Sequence, residues 1–513
     1  MQVATFAAID IGSYDVTLEI FEIIKKTGIH SIDTIRHRLE LGKDTYAHGK
    51  IGPEMVEELC KILQDFVRIM EGYQVDAHRA IATSALREAE NNLFILGKIR
   101  QMTGLNVEIL SNSEQRFLSY KAIASIESRF NKMIEKGTAI VDVDGGSTQI
   151  SLFDKDALVT TQNIRMGNLR IREKLQPVIS ETTHYERLVE ELIQNELYSF
   201  KKMYLKDRRI ENIVLNGDFF TEIVFRNTED KASRTLSRQE FQQWYQKVVG
   251  QSATELAVKL DVPIEYASLL RPSAIIYHRL VEEMDASLIW TPGTHLGRGL
   301  AYEYAEGKKL LRWLIILKMI SLWPPDNIGK RYAVNRPHIQ NMDMTSAEIF
   351  DALKKVHGCG PRERLLLRIA VMLHDVGKYI SLNYVADSSY NIIMSNEIIG
   401  LSHAEREMVA LIARYNTTRL PQYDVLVQES SLNERQYLIV AELTAIIRYT
   451  NALDRSHLQK IQSVKAVLKD QKLILNLVVN QDYTLEQGLI ADKEEFFNEV
   501  FSIQPVLKVK RQM

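Results

Sequence analysis

Two stretches of this chain share one plan: Ala7 to Glu22 (AAIDIGSYDVTLEIFE) and Ala139 to Asp154 (AIVDVDGGSTQISLFD). Each is an apolar run ending in aspartate, then a Gly/Ser turn, then a second β-prone run. Small turn residues permit the tight backbone that joins neighbouring strands, so each stretch predicts a β-hairpin. A hairpin that recurs predicts two related halves with a ligand cleft between them. Around the first copy, strand-like runs (Phe6 to Ile11, Val16 to Ile24, His78 to Thr83, Asn106 to Leu110) alternate with helical spacing at Pro53 to Met70, Asn91 to Met102 and Glu114 to Phe130. That alternation predicts an α/β layer architecture.

The character changes after Gly307. Trp323-Pro324-Pro325 breaks the chain, and helical patterns follow at Ser346 to His357, Pro361 to Ile380, Asn396 to Tyr415 and Asn433 to Leu453. Val464 to Val479 reads as a strand pair around Lys469-Asp470-Gln471, Lys493 to Phe501 as a helix, and Lys508 to Arg511 as a frayed terminus. The expected divisions are residues 1–128, 129–307, 308–460 and 461–513. The run Leu310 to Leu322 contains Arg312 and Lys318 and is too short to span a bilayer, so it reads as a buried helix. The aromatic residues from Trp313 to Trp323 read as core, and Lys201 to Arg209 reads as a solvated helix end.

Among 513 residues, 64 Lys+Arg balance 66 Asp+Glu, so no global charge favours DNA, RNA or an anionic membrane. A polyanionic ligand therefore needs a local site. The only cysteines, Cys60 and Cys359, are in no metal-binding spacing and suit a reducing compartment, the cytoplasm by default. The N-terminus reads as a strand, without the apolar stretch of a signal peptide.

Chemistry concentrates in the two turns. In Asp10-Ile11-Gly12-Ser13 and in Asp142 to Thr148, short residues let backbone amides converge on phosphate oxygens. The hydroxyls of Ser13, Ser147 and Thr148 add donors, and Asp10 and Asp142 can hold a hydrated divalent cation. Arg87, in Ala82 to Ala89, either presents its guanidinium to a phosphate or stands as a solvated surface arginine. Glu114 follows a strand end and opens a helix, placed either to orient an attacking water or to cap that helix.

Taken in order, DIGS, ATSALREAENN, VEILSNSEQ and VDVDGGST resemble the exopolyphosphatase and guanosine pentaphosphate phosphatase (Ppx/GppA) family, over about Phe6 to Glu306 and more weakly beyond. The resemblance implies the actin-like α/β fold of two ribonuclease-H-like domains, followed by the helical, HD-like domain that longer members carry; the pattern from Val464 to Phe501 adds a small α+β tail. The resemblance also implies removal of the terminal phosphate from polyphosphate or guanosine pentaphosphate with magnesium or manganese, and a homodimer. Carried across, it makes Glu114 the base that activates water and Arg87 a terminal-phosphate contact. Asp10 and Asp142 become metal carboxylates, and Gly12, Ser13, Gly145, Gly146, Ser147 and Thr148 become the phosphate-gripping loops, with Arg165 a further phosphate contact.

Departures from the family pattern cluster at the same loops. Tyr14-Asp15 replace Asn-Ser, Asp144 replaces a glycine, and Gln149 replaces a glutamate. Asn216-Gly217-Asp218-Phe219 lacks the usual glycine-rich sequence, and Leu296-Gly297-Arg298-Gly299 replaces Leu-Arg-Glu-Gly. A second reading is accordingly a polyphosphate- or nucleotide-binding regulator with weakened turnover. In the helical region His338, His374-Asp375 and Asp454 resemble the His…His-Asp…Asp order of HD-domain phosphohydrolases. That order implies either a degraded helical module that shapes the substrate channel or a dimer interface, or a site for a second divalent metal and with it a third reading, chemistry on a nucleotide there. Ser388-Ser389-Tyr390 stands where a further histidine would be expected, which argues against a two-metal site.

Overall fold

The computed structural model describes residues 3–25, 27–125, 129–155, 157–178, 184–217, 234–308, 310 and 331–511. Of the apolar run beginning at Leu310, residues 311–322 lie outside the described residues, as do Trp323-Pro324-Pro325 and Asp218-Phe219. The chain divides into two compact units, Met1–Trp323 and Pro324–Met513.

The repeat read from the sequence is a repeat of sheet order. In the first half β1 (Val3–Ile11), β2 (Asp15–Ile24), β3 (Gly28–Arg38), β4 (Ala77–Ala82) and β5 (Val107–Ile109) lie in the order β3-β2-β1-β4-β5. In the second, β6 (Thr138–Val143), β7 (Thr148–Asp154), β8 (Ala157–Ile164), β9 (Asn212–Asn216), β10 (Thr235–Ser237) and β11 (Leu288–Trp290) run β10-β11-β9-β6-β7-β8. Reversed, the second order repeats the first, with β10 added at the edge. β1–β2 and β6–β7 are antiparallel hairpins, and β1 and β6 pair in parallel with β4 and β9.

β1 is buried on both faces because a central strand has cover above and below, and its two-residue period divides its side chains between two cores. Ala7, Ile9 and Ile11 join Val16, Leu18, Leu63 and Phe66. Phe6 and Ala8 turn the other way, onto Leu300 and Ala301 of the helix Leu296–Gly307, which comes from the end of the second half. The halves are further joined by ion pairs: Arg172 to Glu40 at 2.6 Å, Arg170 to Glu88 at 2.7 Å and Arg38 to Glu265 at 2.9 Å.

In the second unit, helices Arg336–Ala352, Pro361–Leu373, Val385–Ser395, His403–Arg414 and Glu434–Leu453 accompany a sheet of β12 (Ile461–Lys469), β13 (Lys472–Val479) and β14 (Gln504–Arg511). Lys508 to Arg511 is not a frayed end. It belongs to β14, which pairs in parallel with β13 from Lys472↔Gln504 to Val479↔Arg511, so those residues take part in a sheet ladder. The first helix starts ten residues before the expected Ser346, because Asn335 caps it by accepting from the His338 amide and Pro337 occupies its first turn. The helix expected through Ile380 ends at Leu373, and a 3₁₀ turn, Val376–Tyr379, follows the His374-Asp375 pair. Among the described residues no helix is long and apolar enough to cross a membrane.

Candidate active site

Strand register places the two aspartates equivalently. Asp10 sits opposite Thr17 near the end of β1, and Asp142 opposite Gln149 near the end of β6. The turns that follow close on themselves, Gly12 N–H to Asp15 O at 2.9 Å and Asp144 N–H to Ser147 O at 2.9 Å. They face one cavity of about 110 Å³, whose walls include Asp10, Gly12, Ser13, Tyr14 and Asp15 from the first half and Asp142, Asp144, Gly145, Asn216 and Gly217 from the second. Thr83, Ser84, Gln115 and His295 also line it, and among the described residues no lysine or arginine does.

Ser13 is nearly buried and shares hydrogen bonds with the Tyr46 hydroxyl at 2.7 Å and the Ser84 hydroxyl at 2.8 Å. Burial pushes the Tyr14 and Tyr46 hydroxyls above the ordinary tyrosine range, so both stay protonated and add no negative charge to the cleft. Asp15 lies 3.4 Å from the Arg36 guanidinium. The Asn216 amide is 3.4 Å from Asp142 Oδ2, donates to Ser119 Oγ at 2.8 Å and accepts from Thr294 Oγ1 at 3.0 Å.

Several expected residues stand elsewhere. Glu114 is not on the cavity wall. Its Oε2 accepts from the Ser111 amide at 2.9 Å and the Ser111 hydroxyl at 2.7 Å, while the Glu114 amide donates back to Ser111 Oγ at 3.3 Å. This is a complete capping box at the start of the helix Asn112–Ala124. One residue on, about 100° around the helix, Gln115 is the side chain that reaches the cavity. Its Nε2 donates to Asp144 Oδ2 at 2.8 Å, and its Oε1 lies 3.5 Å from Arg87 Nη1, which also donates to the Leu110 carbonyl at 2.5 Å. Arg87 is therefore behind the wall, bracing Gln115. Gly146, Ser147 and Thr148 also lie off the wall; Ser147 is buried, and Thr148 donates its hydroxyl to the Met166 carbonyl at 2.6 Å. Gln149 accepts from the buried Arg116 at 3.1 Å. Arg165 is exposed.

The sequence reading passed over Arg170 and Gly167. Arg170 donates to the Gly146 carbonyl at 2.8 Å, stacks 4.0 Å over the Tyr46 ring and grips both oxygens of Glu88. Gly167 supports the second loop from below: a Cβ there would lie 2.3 Å from Asp144 O, 2.4 Å from Gly145 O and 2.4 Å from Ser147 N. All three are backbone atoms that cannot swing aside, so Gly167→Ala is expected to displace the loop. The expected result is a stability loss of about 1–3 kcal/mol by denaturant titration, with loss of whatever activity the cleft carries.

In the second unit His338 and His374 are buried, and His338 Nδ1 meets Asp454 Oδ2 at 2.7 Å. Asp375 Oδ1 lies 3.5 Å from His374 Nε2, and its Oδ2 pairs with Lys378. Ser389 donates to the His374 carbonyl at 3.0 Å and accepts from the Gly377 amide at 2.9 Å, holding the turn where a histidine was expected.

The sequence pattern of the Ppx/GppA phosphatase family matches residues 20–306, and that of Ppx/GppA phosphatase domain III matches residues 325–495. A bifunctional 3-dehydroquinate synthase/phosphatase of Fusobacterium nucleatum is 26% identical over 174 residues, 33% of this chain but only 26% of that protein. A guanosine-5'-triphosphate,3'-diphosphate pyrophosphatase of Photobacterium profundum is 20% identical over 92% of this chain and 91% of its own length. An exopolyphosphatase structure from Cytophaga hutchinsonii superposes with a TM-score of 0.52 at 18% identity, covering 60% of this chain and 100% of that one. The last likeness establishes a shared fold.

Proposed function

The chain belongs to the Ppx/GppA phosphatase family, and from that premise we propose that its cleft hydrolyses a terminal phosphoanhydride, of inorganic polyphosphate or of guanosine pentaphosphate. The observation that carries this reading is the meeting of two equivalent hairpin turns, with Asp10, Asp15, Asp142 and Asp144, on one small cavity.

A phosphate chain cannot enter a ring of carboxylates unless positive charge lies between them. Asp10 and Asp142 are the residues that would hold the ion, and their carboxylate oxygens suit magnesium or manganese. When bound, such an ion neutralises phosphate charge and polarises the bond to be broken. The chain's own groups do the rest. Ser13 and Ser84 offer hydroxyls on the first-half wall. Asp144, oriented by Gln115, is the carboxylate we assign to orient the attacking water and accept its proton. Glu114, the base implied by family resemblance, has its carboxylate committed to the helix cap.

Phosphate release from long-chain polyphosphate and from guanosine pentaphosphate, each with magnesium and with manganese, tests the proposal. Release from at least one substrate is expected. Binding without release from either would leave a regulator in place of an enzyme.

A further inference from the structure

Behind the second hairpin lies a buried cation. Arg116, on the helix Asn112–Ala124, is 2% exposed, and three oxygens accept from its guanidinium: Gln149 Oε1 at 3.1 Å, Thr161 Oγ1, and the Gln162 carbonyl at 3.2 Å. All three are neutral. A guanidinium does not shed its proton, so a full positive charge is held out of water with no carboxylate among its acceptors, an arrangement that burial ordinarily penalises. Gln149 compounds the excess. Because a guanidinium only donates, the amide must turn Oε1 toward it, and Nε2, a further donor, is buried with no acceptor. The family pattern has a glutamate at this position, which would cancel the charge.

Sheet register sets this charge beside the cleft. Gln149 stands directly opposite Asp142 in the β6–β7 pair, and cross-strand partners project from one face of a hairpin. The Tyr120 hydroxyl senses both charges: burial raises its pKa, Arg116 lowers it and Asp142 raises it. Arg116 therefore lies behind the cavity wall, close to a carboxylate that lines it. We propose that Arg116 is a fixed counter-charge for the cleft, a positioning residue that offsets one of the four aspartates on the wall and so favours entry of a phosphate chain. This inference rests on the reading of the cleft as a phosphate site. A charge needs no contact to act, and dissolved salt, which screens surface charges, does not enter the interior between Arg116 and the wall. From that position it supplies positive potential without filling space that a phosphate or its cation would need.

The test measures two affinities of the full chain: Mn²⁺ alone, by loss of the free-ion paramagnetic resonance signal, and imidodiphosphate, a hydrolysis-resistant phosphate chain, by calorimetry in excess Mg²⁺. The Mn²⁺ equivalent that Asp142→Asn removes belongs to the cleft. Gln149→Glu gives Arg116 a carboxylate partner, and Arg116→Gln removes the charge. Each should bind that Mn²⁺ about tenfold more tightly and imidodiphosphate about tenfold more weakly, since both leave the wall more negative. Arg116→Lys should keep both affinities near the wild-type values. The opposite signs are diagnostic, because losing a brace between helix and strands would weaken both. Circular dichroism verifies folding, and Gln149→Glu, which leaves Arg116 in place, carries the test where Arg116→Gln does not fold. Folded variants that match the wild type, or that weaken in both affinities, would overturn the inference and leave the cleft reading intact. A wild type that binds neither ligand at a site sensitive to Asp142→Asn would overturn the cleft reading and the inference with it.

Discussion

Asp144→Asn is expected to lower kcat for phosphate release by about 10²- to 10⁴-fold, the usual contribution of a general base. Glu114→Gln is expected to leave kcat within about threefold and to cost about 1 kcal/mol of stability through its capping box. The contrast follows from one residue's step around the helix. Glu114 spends Oε2 on Ser111, whereas Gln115 reaches the cavity and donates to Asp144 at 2.8 Å. Asparagine at 144 keeps the shape and can still accept from Gln115, so a loss of rate reads the missing negative charge and not a collapsed loop. A double variant sharpens the test. Gln115→Glu in the Asp144→Asn background returns a carboxylate to the same corner from the helix side and should restore part of the lost kcat. Steady-state phosphate release from polyphosphate measures all three. A rate that falls with Glu114 and survives Asp144→Asn would return the base to the helix cap.

Removal of divalent cations is expected to abolish phosphate release and to weaken polyphosphate binding together. Like charges about 4 Å apart repel by about 4 kcal/mol at the effective dielectric of a protein surface. The cavity wall carries Asp10, Asp15, Asp142 and Asp144. Of these, Asp15 has an arginine beside it, Arg36 at 3.4 Å. Dialysis against a chelator, followed by a magnesium titration of both binding and turnover, should give two curves with one midpoint. Binding that persists without metal would mean that protein cations supply the neutralising charge.

What the sequence made legible was what repeats or is local. The Asp-Gly/Ser hairpins could be placed because small turn residues and flanking β-prone runs carry their own geometry, and both formed antiparallel pairs. The direction of side chains at a helix start was harder. Ser111 and Glu114 carry the S-x-x-E spacing of a capping box, a signal present in the sequence, yet family likeness drew attention to Glu114 as a base. Gln115 could be recognised only once the helix was set against the second-half loop. Arg170 and Gly167 were invisible for the same reason, since their partners Glu88, Gly146 and Asp144 are distant or lie across a turn. β14 was missed because alternating basic residues at a chain end resemble solvent-exposed coil until β13 supplies a parallel neighbour.

The ion pairs that join the halves, Arg172–Glu40, Arg170–Glu88 and Arg38–Glu265, run along the seam between the two sheets. Ion pairs near a protein surface weaken as dissolved salt accumulates, so brine should loosen this seam.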